Sequence, residues 1–197
     1  RDTGVIVRVV ENDRAAVIEG NSLEANVLRD QVQSAREIAR RLPPLDVNPG
    51  LSRPAKIRET QPFDPAIGRF TPARRAQWAS IFVRRAREDG LTASGAITRL
   101  RGQIAYLNSN GVVRMCEVSR VSVEIIFYDG SGSGFATGSA LSAEALDPLA
   151  LAEEAAWRAT RSRNPVAVEP GEYTVLLEPP AVAEILEFMG WAGFNAK

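Results

Sequence analysis

Val112-Val113-Arg114-Met115-Cys116-Glu117-Val118 and, two residues on, Val121-Ser122-Val123-Glu124-Ile125-Ile126-Phe127-Tyr128 are the stretches whose reading decides the fold. Both are rich in β-branched and aromatic residues at alternating positions, the pattern of half-buried strands. Working towards the amino end, Ser109-Asn110-Gly111 is a turn, and Gln103 to Asn108 and Leu91 to Leu100 read as two earlier strands. Working towards the carboxyl end, the glycine-serine run from Gly130 to Gly134 is a turn into a strand from Phe135 to Ser139. Strands joined in succession by such short turns make an antiparallel meander.

Helices flank it. Thr71-Pro72 is a cap followed by a first-turn proline, and Ala76, Ala79, Phe82, Val83 and Ala86 line a helix that Gly90 ends. Ser142 and Glu144 open a second, carrying Leu149, Ala152, Ala155, Ala156 and Ala159 as far as Asn164-Pro165. Tyr173 to Leu177 is expected as a last strand between Pro170-Gly171 and Pro179-Pro180, before a helical run from Ala181 to about Met189. At the other end, Val5 to Val10 and Arg14 to Gly20 form a hairpin. Asn21 and Glu24 have capping-box spacing for a helix from Ser22 to Leu42. Pro43 to Pro72 holds seven prolines and reads as irregular surface chain.

These elements give an α+β class, antiparallel sheets with helices on one face. They divide into a strand-hairpin-helix unit over 1–42, a proline-rich segment over 43–71, and the helix, meander, helix and terminal strand-helix over 72–197. Val5 to Pro43 and Val121 to Pro165 share a strand-strand-helix order. That order fits either an internal duplication or the general economy of hairpin-then-helix packing.

Composition narrows function. Lys plus Arg and Asp plus Glu are equal at 24 each, so no global field favours nucleic acid or an anionic membrane. There is no His in the chain, which removes the commonest metal ligand, the usual neutral-pH base and every Ser-His or Cys-His pair. Cys116 is the single cysteine and cannot close an intrachain disulfide, so a cytoplasmic setting is expected. No apolar run approaches the ~18 to 20 residues of a membrane span. Arg1-Asp2-Thr3-Gly4 is neither a signal peptide nor a Met start, and a piece of a longer protein is expected.

Local candidates are few. Gly130-Ser131-Gly132-Ser133-Gly134 invites a phosphate-loop reading, but no Lys-Ser/Thr pair follows it and a hairpin turn is preferred. Cys116 has no His or second Cys beside it. The face bearing Arg74, Arg75, Arg84, Arg85 and Arg87, with Trp78, suits a solvated surface or contact with another chain better than phosphate, given Glu88, Asp89 and the zero net charge. Arg74, Arg75, Trp78 and Arg84 are therefore the candidate partner or peptide contacts.

The carboxyl stretch is the most informative: Val168-Glu169-Pro170-Gly171-Glu172-Tyr173-Thr174-Val175-Leu176-Leu177-Glu178-Pro179-Pro180-Ala181-Val182-Ala183-Glu184-Ile185-Leu186-Glu187-Phe188-Met189-Gly190-Trp191. Its Pro-Gly-x-Tyr-x-Val-x-Leu-x-Pro core resembles the TldD/PmbA family, also described as modulators of DNA gyrase and as microcin-maturing peptidases. The resemblance extends more loosely through the Ala-rich helix from Leu149 to Arg163, the Asn108 to Gly111 turn and the opening strand-helix unit.

The resemblance implies a metallopeptidase lineage in which one branch carries His-Glu-x-x-x-His on the helix after such a strand. Its imidazoles hold Zn²⁺ and its Glu takes a proton from bound water. Laid on this chain, Leu186 and Trp191 occupy the histidine positions and Glu187 that of the base. Glu187 is thus the single catalytic candidate, and Gly190 would allow the bend that the five-residue spacing needs. The plainer reading makes Leu186, Met189 and Trp191 core or interface residues and Glu187 incidental.

The resemblance therefore implies the amino-terminal portion of a metal-free, PmbA/TldE-like protein. No cofactor is expected in this chain, and Zn only in a His-bearing homologue. The expected partners are a related subunit, in a homo- or hetero-oligomer, and unfolded peptides, with neither nucleic acid nor membrane. The alternatives are a self-sufficient metallopeptidase with ligands beyond Lys197, and a DNA-associated regulator.

Overall fold

The computed structural model describes residues 2–48 and 50–194. The chain divides into two compact units: the residues up to Ser52 together with those from Phe188 onwards, and Arg53–Glu187.

In the first unit, β1 (Val5–Glu11) and β2 (Arg14–Gly20) pair antiparallel in the register Val5↔Gly20 to Glu11↔Arg14. The turn between them puts Asn12 at φ 52° and Asp13 at φ 58°, left-handed values that these short polar side chains tolerate. Helix α1 (Ala25–Arg41) packs on the hairpin and buries Ala35 and Ala39. It starts three residues later than the capping-box spacing suggests, because Ser22 Oγ accepts the Glu24 N–H at 3.2 Å. That local turn competes with helix initiation, and Glu24, now the N-cap, makes no side-chain cap.

The second unit is built on three strands, β3 (Thr92–Leu107), β4 (Val113–Tyr128) and β5 (Ser133–Ala140), in the order β3-β4-β5 with both pairings antiparallel. The five expected strands are thus three. Each expected interruption, Arg101-Gly102 and Ser119-Arg120, sits opposite the other in the ladder, with Arg101 paired to Ser119. A break would require both chains to leave their hydrogen bonds, so glycine and polar residues stay in register instead.

Along β4 every second residue (Val121, Val123, Ile125, Phe127) is buried. Against that face pack α2 (Pro72–Glu88), through Trp78, Phe82 and Ala86, and α3 (Pro148–Arg161), through Ala152, Ala155, Ala156 and Ala159. The architecture is α+β with the helices on one face of the sheet. Helix α2 has the expected Thr71 cap, whose Oγ1 accepts the Arg74 N–H at 3.3 Å, and ends at Gly90 with φ 71°. Helix α3 begins later than expected. Ala143–Ala145 forms a 3-10 turn, and Asp147 then caps the helix by accepting the Leu149 and Ala150 N–H groups. An Asp cap followed by Pro148 at the first helical position outcompetes Ser142.

Closeness between α3 and β5 depends on missing side chains. A Cβ at Gly134 would lie 2.1 Å from the Ala155 carbonyl oxygen and 2.3 Å from the Ala159 nitrogen, and one at Gly132 2.5 Å from the Ala159 oxygen. Alanines on the helix and glycines on the strand bring the two backbones together.

In the second unit the proline-rich chain is irregular apart from a 3-10 turn over Pro65–Arg69. It is nevertheless anchored. Ile67 and Phe70 are fully buried, the Ser119 N–H donates to the Pro62 carbonyl at 3.0 Å, and the Asp64 N–H donates to Ser119 Oγ at 2.8 Å.

The strand expected from Tyr173 to Leu177 does not form. The segment has no regular structure and pairs with no strand among the described residues, and Val175 and Leu176 are 75% and 94% exposed. Its alternating apolar side chains suit a pleated sheet, but strand structure also needs a ladder partner. Helix α4 (Pro179–Ala192) follows, opening at Pro179 rather than Ala181 and burying none of its residues.

Candidate functional site

The positions singled out on α4 are on its surface. Leu186 is 55% and Trp191 79% exposed, and Glu187 is also exposed, so neither apolar residue is core within this chain. The helix includes Gly190 without a break. Two positions five residues apart on a continuous helix lie ~140° apart, so side chains there do not converge on one point.

The arginine face of α2 is mostly engaged. Arg74 pairs with Glu144 at 3.0 Å and Arg69 reaches the same carboxylate at 3.2 Å. The Arg74 hydrogen bond is the main cause that holds the Glu144 carboxyl below its ordinary pKa. Arg75 Nε is buried with no hydrogen-bond partner. Trp78 is a core residue, 5% exposed, its ring centroid 4.7 Å from that of Phe70 in a tilted contact, so it is not offered at the surface. Arg84 alone of the four is exposed and unpaired among the described residues. With Val83, Arg87 and Glu88 it borders a shallow concavity of about 630 Å³, open to solvent. Arg85 instead ties two helices together, donating to Glu153 at 2.9 Å and Asp89 at 2.8 Å, and both bonds favour its charged form. Its spacing to Asp89 was visible in the sequence; Glu153 was not.

The glycine-serine turn is a hairpin turn and not an anion cradle. Its Ser131 and Gly132 N–H groups donate to Asp129 Oδ1 at 2.9 and 3.0 Å, so the amides that a phosphate would need already hold a carboxylate. Arg163 donates to the other Asp129 oxygen at 2.7 Å and to the Asp89 carbonyl at 3.1 Å, joining the turn to the end of α2.

The bonds from Ser131, then those from Gly132 and Arg163, depress the Asp129 pKa far below its ordinary 3.8. A depressed folded-state pKa stabilises the fold above the unfolded value and loses that contribution as pH falls through it. Asp129→Asn is therefore expected to lower the melting temperature near neutral pH, with the gap to wild type closing below about pH 4. Thermal melts across a pH series check this, and a gap that stays constant into acid would refute it.

Sequence reasoning missed a basic arm. β3 and β4 run on past the end of β5, whose last pair with β4 is Val121↔Ala140, and this extension carries Arg101, Arg114 and Arg120. The Arg114 guanidinium donates to the Ala55 carbonyl at 2.7 Å, which brings Arg53, Lys56 and Arg58 alongside. No local signal marks this group, because its members come from stretches some 40 residues apart that only the fold unites.

The profile described as "PmbA/TldA metallopeptidase central domain" matches residues 73–163, the span that holds α2, the three-stranded sheet and α3. Over this span, just under half of the chain, the protein matches the TldD/PmbA family.

Solved structures agree in fold. The chain superposes with a TM-score of 0.76 on a Bacteroides thetaiotaomicron protein described as a modulator of DNA gyrase, at 18% identity over 94% of this chain and 45% of that one. TldE from Thermococcus kodakarensis gives 0.62 at 19% identity, over 80% of this chain and 37% of that one. A Thermotoga maritima protein described as a DNA gyrase modulator gives 0.61 at 14% identity, over 85% and 39%. The chain thus spans about two fifths of the length of these relatives. At such identities the likeness is one of fold. No curated protein matches the sequence.

The TldD/PmbA lineage implies a zinc site, and the residues here do not fit one. Leu186 and Trp191, which the resemblance sets at the positions of the imidazoles, have no lone pair to give a metal, which leaves Glu187 a lone carboxylate. Among the described residues no three His, Cys, Asp or Glu side chains are grouped as metal ligands would be. Likewise, among the described residues no helix is long and apolar enough to cross a membrane.

Proposed function

We propose that this TldD/PmbA chain is a non-catalytic, PmbA/TldE-like subunit that acts in the cytoplasm in the proteolytic processing of unfolded peptides, beside a homologue that supplies the zinc. The observation that carries the proposal is the donor set on α4: Leu and Trp where the metal-bearing branch has His, on a helix with no buried residue. Exposed apolar side chains along such a helix, among them Ile185, Leu186, Phe188 and Trp191, suit a subunit or peptide contact.

The test is metal analysis and cleavage of an unstructured peptide, with the chain alone, with the chain plus a His-bearing homologue, and with a chelator. The expected result is a metal-free, inert chain whose addition raises chelator-sensitive cleavage by the homologue. Stoichiometric metal and chelator-sensitive cleavage by the chain alone would overturn the proposal.

A further inference from the structure

The arm formed by residues 100–107 and 113–120 extends about 27 Å beyond the three-stranded part of the sheet, at ~3.4 Å per residue. One of its faces is set by the register Leu100↔Arg120, Ile104↔Cys116 and Tyr106↔Arg114. Exposed apolar side chains follow one another along β3: Leu100 at 44%, Ile104 at 59% and Tyr106 at 49% exposure. Exposed arginines stand at both ends of the row on β4. Around the arm lie seven cations, Arg53, Lys56, Arg58, Arg99, Arg101, Arg114 and Arg120, against three carboxylates, Glu59, Asp64 and Glu117, in a chain whose total charge is zero; Arg99, Arg101 and Glu117 are on the opposite face of the ladder from the apolar row. Among the described residues none of these seven cations is in an ion pair.

We propose that this arm docks acid-rich segments of unfolded peptide. The proposal rests on the peptide-processing reading and names the class of peptide that it takes.

Complementarity of charge selects an acidic occupant, and the apolar row between the arginines selects one with side chains to bury. A sugar-phosphate backbone fits less well. It would set anions every few ångströms against cations about 20 Å apart, with Tyr106 the one ring on that face. Main-chain groups on the outer side of β3, the edge strand, can pair with an extended peptide, while the arginines choose its sequence.

The test is fluorescence anisotropy of the full 197-residue chain with a labelled unstructured peptide of about twelve residues, long enough to span the arm. The peptide carries alternating Glu and Leu with Ser and Gly, and its counterpart has Gln for every Glu. At low salt the Glu peptide is expected to bind about tenfold tighter, the sum of a few exposed ion pairs, and to lose that margin at high salt. The double variant Arg114→Glu/Arg120→Glu should abolish the preference. Arg114→Gln/Arg120→Gln should reduce it while the melting temperature falls by no more than the loss of the one hydrogen bond from Arg114 to Ala55 allows.

Equal binding of the two peptides, an unchanged preference in the charge-reversed variant, or displacement of the peptide by a DNA oligonucleotide of equal charge at lower concentration would each overturn the proposal. No homologue and no cleavage enter this assay, so its failure is separate from failure of the subunit reading.

Discussion

Gly134→Val is expected to cost the second unit most or all of its stability. The first carbon of any side chain at this position would lie 2.1 Å from the Ala155 oxygen and 2.3 Å from the Ala159 nitrogen, atoms of the α3 backbone. A flexible side chain could swing aside; a helix backbone cannot move without pulling Ala152, Ala155, Ala156 and Ala159, all fully buried, out of the core. Overpacking ordinarily costs about 1–3 kcal/mol, and one directed at backbone lies at or above the top of that range. Against a total of roughly 5–15 kcal/mol, the expected outcome is a large drop in urea midpoint or recovery only as aggregate. Gly68→Ala is the control, since a Cβ there meets nothing within 4 Å and the backbone is not left-handed. Equal midpoints for the two variants would show that α3 does not sit against β5 as described.

Phe70→Ala has the second largest expected effect. Phe70 is fully buried although it belongs to the irregular, proline-rich chain, and its ring contacts Trp78. Removing a buried Phe side chain costs about 3–5 kcal/mol. The loss also has an optical signature. Of the three tryptophans, Trp157 and Trp191 are 57% and 79% exposed, so Trp78 supplies the blue part of the emission. Phe70→Ala should lower the unfolding midpoint and shift native emission to the red, with Phe70→Leu recovering most of both. If emission and midpoint were unchanged, the segment before α2 would not be anchored in the core.

Where the sequence was legible, short-range chemistry decided the structure. The hairpin at Asn12-Asp13, the Thr71-Pro72 cap and the Gly90 stop depend on residues a few positions apart, and all three are as read. The alternation in β4 likewise reported its buried face from Val121 to Phe127. Readings went astray where a distant partner decides. Arg101-Gly102 and Ser119-Arg120 look like breaks until each is seen to stabilise the other across the ladder. The stretch from Tyr173 to Leu177 has the alternation of a strand and no strand beside it. Trp78 sits among surface arginines in sequence, yet the helix turns its ring towards Phe70. The same limit governs the site: that Leu186 and Trp191 are not metal-donor residue types can be read from the sequence alone, whereas the basic arm exists only once β3, β4 and the chain around Ala55 have come together.

The seat of Pro62 on β4 has a consequence for how the sheet stops. Where β5 ends, the Ser119 amide would present an open donor to any passing strand, and Pro62 takes it through its carbonyl. An ordinary residue in that place would satisfy one donor and could offer its own amide in turn, passing the problem outwards. Proline has none to offer. Lateral growth of the sheet, the first step towards fibrous aggregation, is therefore terminated at that point in a single bond.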